Sequence, residues 1–184
     1  DGSHTFEWIA KKKSGEEFWV EVSLKRTTIG GEGMLLSVVR NIADRKQAEQ
    51  ALQESLLNLK QAQRIARLGS WELDLVKNKL AWSDEIFRIF NCKPQEFEAT
   101  YEAFLDFVHP EDREMVDKAY KNSLQTKQPY EIIHRLLLKD ESIKYVKEKC
   151  DTIFDEAGKP LFSKGIVLDI TEMKDKENKL QQYS

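Results

Sequence analysis

Apolar residues recur along this chain with two different spacings. In residues 4–43, and again in 130–171, they alternate with polar ones in runs rich in β-branched and aromatic side chains, bounded by Gly, Asp and Ser. That is the pattern of strands joined by tight turns. The two stretches follow one plan, so the chain contains an internal repeat. In the first copy HTFEWIAKKK meets a turn at Ser14-Gly15, EEFWVEVSLKRTTI follows, Gly30-Gly31-Glu32-Gly33 turns back, and MLLSVVRNIA runs into Asp44. In the second, YEIIHRLLLK meets Asp140-Glu141, SIKYVKEKCDTIF follows, Asp155-Glu156-Ala157-Gly158 turns back, and PLFSKGIVLDIT runs into Glu172. Each copy predicts a three-stranded meander feeding a charged helix. Only the second has a front half, from SWELDLVKNKLAW through short helical segments to SLQTKQ, so only it is expected to close a core. The first is near the size below which domains seldom fold alone, so one face of its sheet is expected to lean on a partner chain or on the complete domain.

Between the copies, residues 44–66 have no Gly or Pro and are rich in Ala, Leu, Gln, Glu, Lys and Arg, which predicts a continuous helix. Asp44 with Gln47 is expected to form a capping-box pair at its start. Leu52, Leu56, Leu59 and Ala66, with polar Gln63 intervening, fall on a heptad seam. The seam suits either pairing with a second helix, as in a dimer, or lying on the helix's own domain.

Composition narrows the function classes. Of 184 residues, 40% are hydrophobic and 33% charged, an ordinary globular balance. The net charge is −3, with basic and acidic residues interleaved, so the footprint of a nucleic-acid binder is missing. No apolar run approaches the roughly 20 residues that cross a bilayer, and direct membrane insertion is not expected. A cytoplasmic location is expected for this piece, with a membrane anchor elsewhere in the parent protein left open. Cys92 and Cys150 are too few and too far apart for a zinc site, and no metal site is expected. The anchor is left open because the chain opens in mid-pattern at Asp1 and stops inside a helical pattern at Ser184.

At this point the second copy resembles the PAS domain family across residues 68–171. The resemblance rests on IARLGSWELDL, AWSDEIFRIF, FVHPEDR and GIVLDIT, four motifs in order. WVEVSLK and VVRNIADRKQAE in the first copy are similar to the last strands of the same fold and the start of the helix leaving it. The resemblance implies an α+β fold, with a five-stranded antiparallel sheet, helices on one face, and a pocket that in some members holds a small molecule. It divides the chain into the last three strands of a truncated PAS domain (1–43), a helical connector (44–67), a complete PAS domain (68–171) and the start of an exit helix (172–184). It also implies a sensory and relay module, most often in a sensor histidine kinase, or alternatively a ligand-free dimerisation and spacing module. Homodimerisation through helices and sheet faces is expected, with an output domain downstream, and no catalytic residue.

The candidate residues follow. Asp169, Ile170 and Thr171 sit where the last strand turns into the exit helix, Thr171 is expected to cap that helix, and by analogy Asp169 holds the two ends together. Asn41 stands where the family has this Asp, beside Asp44. His109-Pro110-Glu111-Asp112 reads as a helix start, with Pro110 in the first position and the two acids in the first turn, rather than as a metal or acid–base site. Pocket candidates are Trp71, Trp82, Phe87, Phe90 and Phe104, aromatics that are expected to be mostly core with a minority lining a cavity, and His134, which either faces the pocket or is a satisfied core histidine; Leu136, Val146, Cys150, Gly165 and Val167 are added by strand parity and by the family's pocket positions. Their lining offers few paired charges, so a small, largely apolar ligand is expected if the pocket is filled. The identity of any cofactor is left open. Asn91-Cys92 lacks the surrounding motif of flavin-adduct domains, and the long helix lacks a His or Cys to ligate haem.

Overall fold

Two antiparallel sheets form where the alternation runs, in the computed structural model of this chain, which describes residues 3–94, 96 and 99–182. Tyr183 and Ser184, assigned by sequence to the exit helix, and Gln95, assigned to the turn after Cys92, lie outside the described residues. The chain divides into two compact units, Asp1–Leu59 and Lys60–Ser184.

In the first unit, β1 (Ser3–Lys11), β2 (Glu17–Ile29) and β3 (Glu32–Asn41) pair in that order. Gly30 and Gly31 both take positive φ, +62° and +89°, which closes a two-residue hairpin. The turn is therefore tighter than the sequence suggests, because Glu32 and Gly33 already pair with Ile29 and Thr28. Cross-strand register puts Phe6, Trp8, Val20, Val22, Leu24, Leu35 and Val39 on one face. Val20 is buried, yet Trp8, Leu35 and Val39 are each about three-fifths exposed, at 62%, 62% and 61%.

Helix α1 (Ala43–Ala66) follows directly. It begins a residue before Asp44, which corrects the expected Asp44–Gln47 cap. The first helical N–H, that of Ala43, donates instead to Asn41 Oδ1 at 2.9 Å, leaving Asp44 in the first turn at the positive end of the helix dipole. Leu52, Leu56, Leu59 and Ala66 are all exposed.

The second unit holds β4 (Leu68–Asp74), β5 (Lys79–Trp82), α2 (Asp84–Ile89), α3 (Tyr101–Phe107), α4 (Arg113–Thr126), β6 (Tyr130–Leu137), β7 (Ile143–Phe154), β8 (Pro160–Asp169) and α5 (Thr171–Gln182). Its five strands are antiparallel in the order β5-β4-β8-β7-β6. Inward side chains at every second strand position, Leu73, Leu136, Val146, Cys150 and Val167, meet Ile86, Ile89 and Phe90 of α2, Phe104 of α3, and Val116 and Tyr120 of α4. The helices thus cover one face of the sheet. Close packing begins at Gly69, where a Cβ would stand 2.5 Å from Ile86 Cδ1 and 3.0 Å from its backbone N.

Two local readings change. Helix α4 starts at Arg113, so Pro110 and Glu111 lie in a turn before it rather than in its first turn. The Asp112 side chain caps nothing. It accepts from Arg135 N, Nε and Nη2 at 2.8, 3.0 and 2.6 Å, while Glu111 takes Nη2 at 2.8 Å. These hydrogen bonds hold the Asp112 carboxyl below the usual range and raise the pKa of the Arg135 guanidinium. The acids of this motif are a clamp between the α4 start and β6. In the β6–β7 turn, where glycine is missing, Glu141 itself takes φ +64°, and Asp140 Oδ1 steadies the turn by accepting from Ser142 N and Oγ at 3.1 and 2.6 Å.

Candidate functional site

Strand β8 passes into α5 at Asp169-Ile170-Thr171 through a chain of short hydrogen bonds. Asp169 Oδ1 accepts from the Thr171 N–H at 3.0 Å and from its hydroxyl at 2.6 Å. The Thr171 hydroxyl oxygen in turn accepts from Tyr145 N on β7 at 3.0 Å. Ile170 is buried, and its N–H donates to Tyr145 O at 2.9 Å. Thr171 is therefore the first helical residue and not the expected cap: its hydroxyl ties α5 to β7, and the carboxylate before it satisfies the helix's first free N–H. Lys144 Nζ lies 3.9 Å from Asp169 Oδ2.

The same joint occurs after β3. Ile42 is buried, its N–H donates to Trp19 O at 3.0 Å, and Asn41 Oδ1 caps Ala43. Ala43 has no hydroxyl, so this joint is tied to β2 by the Ile42 backbone, without a hydroxyl bond like that between Thr171 and β7. Asn41-Ile42-Ala43 thus keeps the cap of Asp169-Ile170-Thr171 and lacks its hydroxyl.

The interior of the second unit is nearly full. A small, partly open cavity of about 20 Å³ is lined by Trp71, Leu73, Leu80, Trp82, Ile86, Phe90, Tyr101, Phe104, Tyr120, Tyr130, Glu148 and Val167. That is room for about one water molecule. Of the pocket candidates, Trp71, Trp82, Phe90, Phe104 and Val167 line it. Leu136 and Val146 are fully buried core, and Phe87 is half-buried against the edge of Trp82, at 5.4 Å between ring centres. Cys150 and Gly165 do not line this cavity. They border a separate, open concavity of about 910 Å³ that crosses all five strands. At Gly165 a Cβ would meet the Trp71 ring and Lys149 O, each at 2.5 Å, so the glycine is required by the packed indole.

Among the described residues, the one carboxyl side chain in the lining is Glu148. It is 1% exposed and accepts from the Tyr130 hydroxyl at 2.9 Å, with His134 Nε2 3.0 Å from its other oxygen. His134, at 2% exposure, is thus a hydrogen-bonded core histidine. Glu148 shares its strand parity with the inward Val146 and Cys150, and the β6–β7 register sets it beside His134 and Tyr130. Burial raises the Tyr130 hydroxyl pKa strongly and pushes the Cys150 thiol up to about 12, so both stay protonated at neutral pH. Burial also raises the Cys92 thiol.

The comparisons with known proteins agree with this geometry. Residues 79–167 match the PAS fold family. A probable diguanylate cyclase, DgcE of Escherichia coli, is 26% identical over 88% of this chain and 15% of its own length. The sensor protein FixL of Bradyrhizobium diazoefficiens is 32% identical over 62% of this chain and 22% of its own. A methyl sulfide methyltransferase-associated sensor of Methanosarcina acetivorans is 27% identical over 95% of this chain and 18% of its own. The chain thus spans less than a quarter of the length of these relatives. Among solved structures, a sensory box histidine kinase/response regulator from Burkholderia thailandensis superimposes with a TM-score of 0.57 at 22% identity, covering 68% of this chain and 93% of that one. A putative light and redox sensing histidine kinase domain from Haloarcula marismortui gives 0.53 at 20%, covering 62% and 98%. With the sheet order, the helices on one face and the matched residues in agreement, residues 79–167 of this chain belong to the PAS fold family.

Proposed function

We propose that this chain is a sensory and relay module of a signal-transduction protein, non-catalytic in itself, which passes a change in the PAS core through α5 to an output domain. The observation that carries this reading is the joint at Asp169-Ile170-Thr171. It fixes the first turn of a helix to two strands of the sheet through side chains, so a movement of β7 or β8 must displace the helix. A sensor histidine kinase is the parent protein this reading favours, in keeping with the fold of the kinase domains it superimposes on. Residues 1–43 are read as the last three strands of a second PAS domain, which the matching Asn41 joint supports, and 44–67 as the connector. The exposed Leu52, Leu56 and Leu59 support pairing of the connector in a homodimer.

One observation favours the second reading, a ligand-free dimerisation and spacing module: a 20 Å³ cavity holds no metabolite. Native mass spectrometry of protein purified from its source separates the two. A stoichiometric small molecule supports sensing through the interior, and a bare chain supports the spacer. The relay is tested in the full-length protein. Asp169→Ala is expected to abolish stimulus-dependent output while leaving the affinity for any stimulus unchanged, and a variant that still switches normally refutes it.

A further inference from the structure

Helix α1 ends where α5 begins. Arg67 takes the left-handed conformation, φ +51°, and its N–H donates to Arg64 O at 3.2 Å, which closes the helix. Its carbonyl accepts the Asp169 N–H at 3.1 Å. Its guanidinium Nη2 reaches Glu172 Oε1, in the first turn of α5, at 2.6 Å. A single residue therefore touches the last turn of the incoming helix, the final residue of β8 and the first turn of the outgoing helix. One turn earlier, Gln63 Nε2 donates to Ser70 Oγ at 3.2 Å, so the last turn of α1 is held on β4 as well.

We propose that Arg67 is a positioning residue that couples the two helices directly, so that a displacement of α1 reaches α5 without passing through the aromatic interior. This rests on the relay reading above and deepens it: the module transmits a signal arriving along α1 as well as one arising in its own core. Direction is set by chemistry at both ends. The last-turn residue Arg64 and then Arg67 lie at the negative end of the α1 dipole, and Glu172 at the positive end of α5, so each charge is favourable on its own helix and each attracts the other.

The test is amide exchange on the whole chain, followed by NMR, and needs neither ligand nor output domain. Arg67→Gln, Arg67→Glu and Glu172→Arg are each expected to speed exchange at the Asp169, Thr171 and Lys174 amides by about two- to five-fold, the factor of an exposed ion pair. Amides in the middle of β6 and β7 should keep their wild-type rates. The charge-swapped double variant Arg67→Glu/Glu172→Arg is expected to return the three amides to wild-type exchange. Coupling is read with Ile65→Gly, at an exposed site in the last turn of α1. It should speed the same three amides in the wild-type background and add little in the Arg67→Gln background. Unchanged exchange in the single variants, no recovery on swapping, or full additivity of Ile65→Gly with Arg67→Gln overturns the proposal. Such a result would leave the sensing reading standing, because that reading fails only on stimulus-dependent output and on the interior ligand.

Discussion

Replacing Asp169 with alanine removes one oxygen that does two jobs. Oδ1 accepts the first free N–H of α5 and also the Thr171 hydroxyl proton, which leaves that hydroxyl's lone pairs facing the Tyr145 N–H. Losing a helix cap costs about 0.5–2 kcal/mol, and a mostly buried acceptor that takes two hydrogen bonds belongs toward the upper part of that range. The expected destabilisation is about 1–2 kcal/mol, a fall in Tm of about 4–10 °C for a domain of roughly 100 residues. Asp169→Asn separates geometry from charge. Asn41 shows that an amide oxygen fills the same capping place at 2.9 Å, so the Asp169→Asn protein should recover most of the loss. Differential scanning calorimetry of the wild type and both variants decides it. If Asp169→Asn is as damaging as Asp169→Ala, the charge facing Lys144 at 3.9 Å sets the stability of the joint, and the acceptor account is wrong.

Three further outcomes are expected. Gly165→Ala forces a Cβ to 2.5 Å from both Lys149 O and the Trp71 ring, so it should destabilise by about 1–3 kcal/mol in guanidinium unfolding, and an unshifted midpoint would contradict the packing described. Glu141→Gly relieves a left-handed non-glycine turn and should raise Tm by about 2–6 °C; a decrease would mean that the Glu141 side chain contributes something of its own. Asp112 has its pKa lowered by Arg135, so its contribution is complete above the unfolded value near about 3.9 and is lost as pH falls through the lower folded value. Acid titration of stability should therefore be shallower in Asp112→Asn than in wild type below about pH 4, and parallel curves would show the clamp to be inert.

The strands were legible because alternation is a local property: β6, β7 and β8 lie where polar and apolar residues take turns, and Gly30-Gly31 marks its own hairpin. The joints were partly legible, since Asp169 and Asn41 stand within two residues of the N–H groups they serve. What escaped was every contact set by register between distant strands. Asp112 looked like a first-turn acid because helix dipoles favour one there, but Arg135, 23 residues on, offers it three donors at once. Thr171 looked like a cap for the same local reason, and Tyr145 N, 26 residues back, claims its hydroxyl. Glu148 could be placed inward by parity alone, while its partners His134 and Tyr130 sit on another strand. Which aromatics line the cavity and which only fill the core was not legible, because both kinds have the same spacing along the chain.

Gly165 and Trp71 face each other across neighbouring strands, and the indole occupies the volume a side chain at 165 would otherwise take. Trp71 also borders both the small cavity and the open concavity outside it. Trp82 and Tyr130 border both spaces as well, so three aromatic side chains share the wall between interior and concavity. How much of a partner or small molecule the outer face can admit to the core is therefore set by how tightly these three rings stay packed, with no change needed in the strands that carry them.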